Sequence, residues 1–432
     1  MTRFRSTRVV VDGEVRPATV RVEAGLVVAI GDGAADHDFG DLLLMPGLVD
    51  THVHVNEPGR THWEGFATAT AAAVAGGCTT IVDMPLNSVP PTVTVQALEE
   101  KREAAKAGLG CDVAFWGGFV GPLDQLGPLT EAGVCGFKSF LVDSGVAEFP
   151  PVSPDELGAA MAIMARLAVP ALVHAEDPDQ LRPLGMSPGS YRGYLESRPV
   201  TSELEAIRQV AGLAETTGAQ AHILHVSSGE AAEAIGRGPG NLSGETCPHY
   251  LTFSAEEIPD GATLFKCTPP IREAEHREAL WHGLESGWVS MVVSDHSPAP
   301  VDLKNVDTGD FTTAWGGISS LQLRLLATWT GASERGHGPL ELTEWLSAAP
   351  ARLAGLGDRK GAIAIGMDGD LVAWDQDRPT DVAGSALRHR HPATPYEGMR
   401  LRGRVSATVL GGHIVFPGNG AMERRGRMLA RR

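Results

Sequence analysis

The chain has 432 residues, 43% of them hydrophobic and 21% charged, with a formal net charge of -17. This length exceeds the ~100 to 200 residues of a typical single domain, and the composition excludes a disordered or fibrous chain. The negative charge argues against nucleic acid or an anionic membrane as a partner. Because no apolar run reaches the ~18 residues of a membrane span and the N-terminus lacks a signal-peptide pattern, we expect a cytoplasmic protein.

Both ends of the chain contain short strand patterns separated by turns. At the N-terminus these are residues 7–11, 18–23 and 26–30, and at the C-terminus residues 363–369, 371–375 and 405–416. Strands this short cannot bury a core alone. The pattern predicts one small β-sandwich domain, built from residues 1–45 and 361–432, that flanks a larger domain of residues 46–360.

The long middle region alternates compact apolar runs with alanine-rich helical runs, which is typical of repeated βα units and a parallel sheet. Eight strands are predicted, the number that closes a (β/α)8 TIM-type barrel. A doubly wound open sheet is the alternative, but no Gly-x-Gly-x-x-Gly follows the first strand. The predicted strands are residues 48–55, 80–85, 113–119, 136–141, 171–176, 221–226, 242–248 and 291–297.

Ionisable residues lie near the C-terminal ends of five of these strands, where barrel enzymes carry their catalytic groups. His52 and His54 share one face of the first strand, because alternate side chains of a strand point the same way. The others are Lys138, His174, His225 and Asp295. Each alone has a structural explanation, such as a hydrogen-bonded core histidine or a helix cap. Together, in apolar surroundings, they are costly to bury without an ion, so the set favours a metal centre.

Imidazole and carboxylate ligands suit zinc, with cobalt, manganese or iron as alternatives. Six ligands are too many for one tetrahedral catalytic ion, so we expect two divalent ions. Lys138 can join them only if its pKa falls and its amine is neutral. Such an amine can add carbon dioxide to form a carbamate that bridges two ions, whereas the alternative is a structural salt bridge. Five widely spaced cysteines predict reduced thiols and neither a disulfide framework nor a thiolate zinc site.

Residues 46–54, Pro-Gly-Leu-Val-Asp-Thr-His-Val-His, resemble the opening motif of the cyclic amidohydrolases, which include dihydroorotases, dihydropyrimidinases and allantoinases. The resemblance covers nearly the whole chain. It implies a binuclear centre held by His52, His54, His174, His225 and Asp295 with a carbamylated Lys138. Residues 56–66, 83–92, 136–141 and 309–318 are similar to the allantoinase versions of these segments. Asn56 replaces the arginine with which dihydroorotases grip the substrate carboxylate.

The resemblance implies hydrolysis of the hydantoin ring of allantoin to allantoate, a step of purine catabolism. A hydroxide between two metal ions would attack, and Asp295 would act as general base and then general acid. Asn56, Asn87, Thr268 and Trp315 are the candidate substrate contacts. For Asn56 the alternative is a loop-shaping role, and for Trp315 it is packing.

Two alternatives to allantoin hydrolysis stay open on the sequence. One is a hydantoinase or dihydropyrimidinase with another ring as substrate, and the other is an inactive scaffold of the same fold. The resemblance also implies a homotetramer. Three histidines near the mouth, His62, His249 and His296, are expected to be structural, and His37, His389, His391 and His413 are expected at the surface.

Overall fold

A computed structural model of the chain describes residues 1–184, 187–417 and 425–431. Part of the predicted segment 361–432 therefore lies outside the described residues. The strands, in chain order, are β1 Thr2–Val11, β2 Glu14–Glu23, β3 Leu26–Gly31, β4 His37–Asp38, β5 Leu43–Pro46, β6 Leu48–Val53, β7 Cys78–Asp83, β8 Asp112–Phe115, β9 Gly117–Gly118, β10 Phe137–Phe140, β11 Ala171–His174, β12 Ala221–Ile223, β13 Leu242–Thr246, β14 Met291–Val292, β15 Leu371–Asp375, β16 Thr380–Asp381, β17 Arg400–Leu401, β18 Arg404–Leu410 and β19 His413–Phe416.

The α-helices are α1 Phe66–Ala75, α2 Val95–Ala105, α3 Leu126–Glu131, α4 Pro154–Leu167, α5 Tyr191–Ser197, α6 Val200–Thr217, α7 Gly229–Gly236, α8 Pro248–Thr252, α9 Ala274–Glu285, α10 Arg324–Glu334, α11 Pro339–Thr343 and α12 Ala349–Leu353. A π-helical turn spans Glu344–Ala348. Short 3-10 helices span Leu123–Gln125, Pro178–Gln180, Ala255–Glu257, Thr263–Phe265, Val301–Lys304, Leu321–Leu323 and Gly384–Ala386. Across the part of the chain that the structure describes, none of the helices combines the length and the apolar character needed to cross a membrane.

Helix α4 shows why these segments are helical. Ser153 caps it, accepting from the backbone N–H of Glu156, whose carboxylate in turn accepts from the N–H of Ser153, and Pro154 occupies the first turn. Leu157, Ala160, Met161 and Met164 are buried at helical spacing, so one face packs on the barrel.

The terminal strands hydrogen-bond as one sheet in the order β19-β18-β15-β5-β1-β2-β3, with β4 beside β1. The β1–β2 hairpin turns at Asp12 and Gly13, which both have positive φ, as a tight two-residue turn requires. This sheet has an apolar core of its own, which includes Phe4, Val20 and Leu371. The two ends of the chain therefore build one small β domain.

Strands β6 to β14 close a barrel, whereas β16 and β17 pair only with each other, in antiparallel fashion, within the described ranges. Strands β6, β7 and β8 are parallel neighbours, and β9 through β14 form a second parallel run. Only Trp116 separates β8 from β9, so these two are halves of the predicted third strand. A parallel bridge between Val53 and His296 joins the first strand to the last. The predicted fold class is confirmed, and the bounds of the two domains stay a prediction.

Candidate metal centre

The six predicted ligands meet at the C-terminal ends of the barrel strands, and each is at most 6% exposed. His52 belongs to β6 and Lys138 to β10, while His174 is the last residue of β11. His54, His225 and Asp295 follow β6, β12 and β14. Because parallel strands end at one rim of a barrel, residues up to 243 positions apart in the chain come together here.

Asp295 and His52 lie at the middle of the group. The Oδ1 atom of Asp295 is 3.1 Å from Nε2 of His52 and 3.6 Å from Nε2 of His54. The Nζ atom of Lys138 is 3.4 Å from the same His52 nitrogen. The ring centroid of His225 lies 5.4 Å from that of His52 and 4.6 Å from that of His174. These separations place all six within reach of small ions between them.

Two buried carboxylates orient the histidines. Oε1 of Glu245 lies 2.5 Å from Nδ1 of His52, so Nε2 is the nitrogen that faces the centre. Oε2 of Glu176 lies 2.6 Å from Nε2 of His174, which leaves Nδ1 as the donor atom of that ring. Sequence reasoning missed both carboxylates. Their signal was a charged residue inside a predicted buried strand.

Electrostatics favour a neutral, lone-pair-rich centre. Burial, helped by the nearby cationic Lys138, holds the pKa of His52 and His54 well below the ordinary value. Burial also lowers the pKa of Lys138 to about 8, although Asp295 and Glu245 oppose this shift. Nδ1 of His225 is buried and has no hydrogen-bond partner within the described ranges. Neutral imidazoles, an orphaned nitrogen and carboxylate oxygen fit divalent cations.

Backbone strain supports the same position. His225 and Asp295 have φ values of 39° and 42°, in the left-handed region that non-glycine residues rarely adopt. Such conformations cost about 1 to 3 kcal/mol each and persist where the surroundings over-determine them, often at functional sites.

A cavity of about 490 Å³ opens above this centre. Asn87, Thr268 and Trp315 line it, together with Lys138, His174, His225 and Asp295. Asn56 is 1% exposed and is not among the described residues that line this cavity, and its Nδ2 donates to the carbonyl of Pro298 at 3.2 Å. Its position favours the loop-shaping alternative.

The wall around the cavity is built from remote segments. The ring of Trp315 packs edge-on against Trp63, with centroids 4.8 Å apart. Lys266 donates to the carbonyls of Phe311 and Ala314. These hydrogen bonds hold the loop of Trp315 against the segment that contains Lys266. Burial lowers the pKa of this lysine to about 8.

His389 corrects one prediction. It was expected at the surface, but it is 5% exposed and its ring centroid lies 5.5 Å from that of His296. The next residue, Arg390, donates its backbone N–H to the carboxylate of Glu64, which also contacts His296. The prediction failed because these partners are remote in the chain: His296 lies 93 positions from His389, and Glu64 lies 326 positions from Arg390. His37 and His413 are exposed and His391 is partly exposed.

The family model described as the amidohydrolase family matches residues 43–415. The allantoinase of Streptomyces avermitilis is 48% identical, over 99% of this chain and 98% of that protein. The allantoinase of Saccharomyces cerevisiae is 40% identical, over 95% and 94%. Among solved structures, the L-hydantoinase (dihydropyrimidinase) of Arthrobacter aurescens superposes with a TM-score of 0.93 over 100% of both chains, at 29% identity.

Proposed function

The chain belongs to the amidohydrolase family, and from this premise we propose that it opens the hydantoin ring of allantoin by hydrolysis of a cyclic amide, giving allantoate. Four curated allantoinases are 40 to 48% identical over at least 95% of the chain. Hydantoinase and dihydropyrimidinase structures share the fold at 24 to 29% identity. The difference favours allantoin over the other cyclic amides.

The observation that carries this function is the grouping of six ligand-type side chains under one cavity. An inactive scaffold has no need to bury this set, two members of which, His225 and Asp295, have strained backbone conformations. We propose that His52, His54, Lys138, His174, His225 and Asp295 hold two divalent ions, zinc before cobalt, manganese or iron, and that Lys138 carries a carbamate. When bound, such ions activate water and polarise the scissile carbonyl.

Asp295 is the residue best placed to move protons. It lines the cavity, and its Oδ1 atom lies close to Nε2 of His52 in β6 and of His54 just after β6. In the proposed reaction it takes a proton from the attacking water and returns it to the departing ring nitrogen. Ser297, whose hydroxyl donates to Oδ1 at 3.1 Å, fixes the orientation of this carboxylate.

Substrate orientation falls to residues of the cavity wall. The amide of Asn87 lies 3.4 Å from Nδ1 of His54, at the edge of the centre, where it can also reach a ring carbonyl. The Thr268 hydroxyl is held by the hydroxyl of Tyr194 at 2.9 Å. Trp315 and Trp63 form an aromatic wall that excludes water on one side. We propose that Asn56 contributes by shaping the loop above the first strand.

The decisive experiment compares allantoin, hydantoin and dihydrouracil as substrates of the metal-loaded protein, with the product identified as allantoate by mass spectrometry. We expect kcat/KM for allantoin to exceed that for the other two at least tenfold. Preference for hydantoin would overturn the substrate and leave the reaction type intact. Fewer than one equivalent of metal in protein purified without chelator, with no turnover of any of the three, would overturn the enzyme itself.

We propose two further properties, a homotetrameric state that the family resemblance implies and the cytoplasmic location expected from the sequence. A homotetramer is testable by light scattering coupled to size exclusion, with a mass near four times 45.5 kDa expected. A cytoplasmic location is testable by cell fractionation.

A further inference from the structure

A second group of metal-binding side chains adjoins the centre. One ligand atom each from Cys247, His249 and Asp295 lies within 4.8 Å of the others, and all three residues are buried. Cys247 and His249 play no part in the proposed reaction. The group combines a thiol, an imidazole and a carboxylate, the three ligand types that zinc and cadmium bind best.

The fold places these residues together. Cys247 follows β13 and caps the N-terminus of helix α8, whose first turn carries His249. Asp295 follows β14, which pairs in parallel with β13 through Glu245 and Met291. The ends of these neighbouring strands therefore converge behind the mouth.

His249 gives the strongest indication of a ligand. It is 0% exposed, and neither Nδ1 nor Nε2 has a hydrogen-bond partner within the described parts of the chain. An unsatisfied buried polar group costs about 1 to 3 kcal/mol. The ring packs against Tyr250 with the centroids 4.3 Å apart and the ring planes tilted by 59°, a contact that a phenylalanine could also make. The two nitrogens thus have no structural use in this packing.

One carboxylate oxygen of Asp295, Oδ2, is free of the contacts that Asp295 makes to His52, His54 and Ser297. The contacts described for its carboxylate, to His52, His54 and Ser297, all involve Oδ1. Oδ2 can then face Cys247 and His249. A cation held there would draw the Asp295 carboxylate away from the cavity.

We propose that Cys247, His249 and Asp295 form an inhibitory site for a thiophilic divalent cation, such as zinc in excess or cadmium. On binding, the Cys247 thiol releases its proton to solvent, its sulfur bonds the cation, and His249 binds as the neutral imidazole. The inhibition rests on the proposed catalytic role of Asp295, whereas the binding does not. The two are therefore measured separately.

The test adds cadmium chloride to enzyme already loaded with two equivalents of zinc. Ultraviolet absorbance reports a cadmium–thiolate bond, and turnover of allantoin reports inhibition. We expect one further equivalent to bind, with the absorbance band and the loss of activity rising together. Cadmium that replaces zinc among the histidines and Asp295 would inhibit without a thiolate band, and that result would overturn the site. Binding with the band but without inhibition would overturn the role of Asp295 and leave the site standing.

Cys247→Ser should abolish the band and raise the half-inhibiting cadmium concentration at least tenfold, with basal kcat within twofold of wild type. Cys135→Ser is the matched control, because Cys135 is equally buried but precedes β10 at the opposite end of the barrel. His249→Phe keeps the ring contact with Tyr250, and we expect an unchanged or raised melting temperature with at least tenfold weaker inhibition. Equal inhibition of wild type and both site variants would exclude the proposal.

Discussion

Two buried polar clusters lie at opposite ends of the barrel, and each contains three side chains that could hold a metal ion. The candidate metal centre at the mouth combines histidines with Asp295. The cluster at the base, here called the basal cluster, consists of Asp112, Asp368, Asp370 and Lys360. Nζ of Lys360 lies 2.7, 2.9 and 2.5 Å from the three carboxylates. The basal cluster thus contains its own cation, the ammonium group of Lys360.

The pKa values of the two buried lysines, Lys138 at the mouth and Lys360 at the base, shift in opposite directions. Burial lowers the pKa of both, but three carboxylates surround Lys360 and together raise its pKa above the ordinary value. At the mouth the opposing carboxylates are too few, and the pKa of Lys138 falls to about 8. A lysine among enough carboxylates is a structural cation. The lowered pKa makes the neutral amine of Lys138 more accessible than that of an ordinary lysine.

The largest expected effect is at the mouth, from Asp295→Asn. The amide keeps the size of the side chain but cannot accept the proton of water, so kcat should fall about 10²- to 10⁴-fold. Metal content by mass spectrometry and the melting temperature should stay close to wild type. A variant with undiminished kcat would show that another group moves the proton.

At the base, Lys360→Met should give the opposite signature. Three carboxylates lose their buried partner, which is expected to cost about 3 to 5 kcal/mol in the free energy of unfolding. Denaturant unfolding measures this loss, and kcat of the folded fraction should change less than twofold. Arg359→Met is the control, since Arg359 is partly exposed and, among the described residues, its side chain forms an ion pair with Asp368 alone, at 2.9 Å. A Lys360→Met protein with normal stability would show that the basal cluster is not structural.

A smaller effect is expected from removal of the carboxylate that contacts His52 at the mouth. Glu245→Gln removes the carboxylate that fixes the ring of His52, and loss of such a partner weakens metal binding about 10- to 100-fold. Competition with a chromogenic chelator measures this affinity independently of turnover. His222→Gln, at the other oxygen of Glu245, should weaken binding less, because its contact to Glu245 is longer at 3.1 Å. Equal metal affinity in wild type and Glu245→Gln would remove Glu245 from this role.

The sequence predicted the mouth better than the base. The six ligands stand at the ends of apolar strands, where period-two alternation and the geometry of parallel strands say which side chains converge. The three basal carboxylates carry no such signal. Asp112 begins β8, whereas Asp368 and Asp370 precede β15, and only the packing of the small domain beneath the barrel brings them together.

The residues that pack around the mouth could not be predicted from the sequence for the same reason. Glu64, His296 and Arg390 come from three distant segments, and nothing local in the sequence of Arg390 indicates a buried partner. The substrate contacts depend on loops whose shape periodicity does not specify. Asn56 was a candidate substrate contact with a loop-shaping role as the alternative, and its side-chain amide donates to the carbonyl of Pro298.

The smallest expected effect concerns pH and the basal cluster. Burial alone would raise the pKa of Asp368, but Lys360 and Arg359 outweigh burial and lower this pKa. The ionised Asp368 carboxylate therefore stabilises the folded protein at pH values above its ordinary pKa, and this stabilisation is lost only when the pH falls through the lowered pKa. In Lys360→Met the carboxylates of Asp368 and Asp370 keep their burial without the lysine, and their pKa values should rise. As the pH falls, protonation of these carboxylates removes their unpaired charge. The destabilisation of the variant then decreases by up to about 1.4 kcal/mol per pH unit for each proton taken up.

The gap in unfolding free energy between wild type and Lys360→Met should accordingly narrow by about 1 kcal/mol between pH 7 and pH 5. Groups at the mouth titrate in both proteins, so their contribution cancels in the difference between the two unfolding free energies. The pH dependence of this difference therefore reports on the basal cluster. Urea unfolding of both proteins at the two pH values gives the measurement. A gap that stays constant or widens in acid would mean that the basal carboxylates find other cations once Lys360 is gone, with Arg427, 3.3 Å from Asp112, the first to examine.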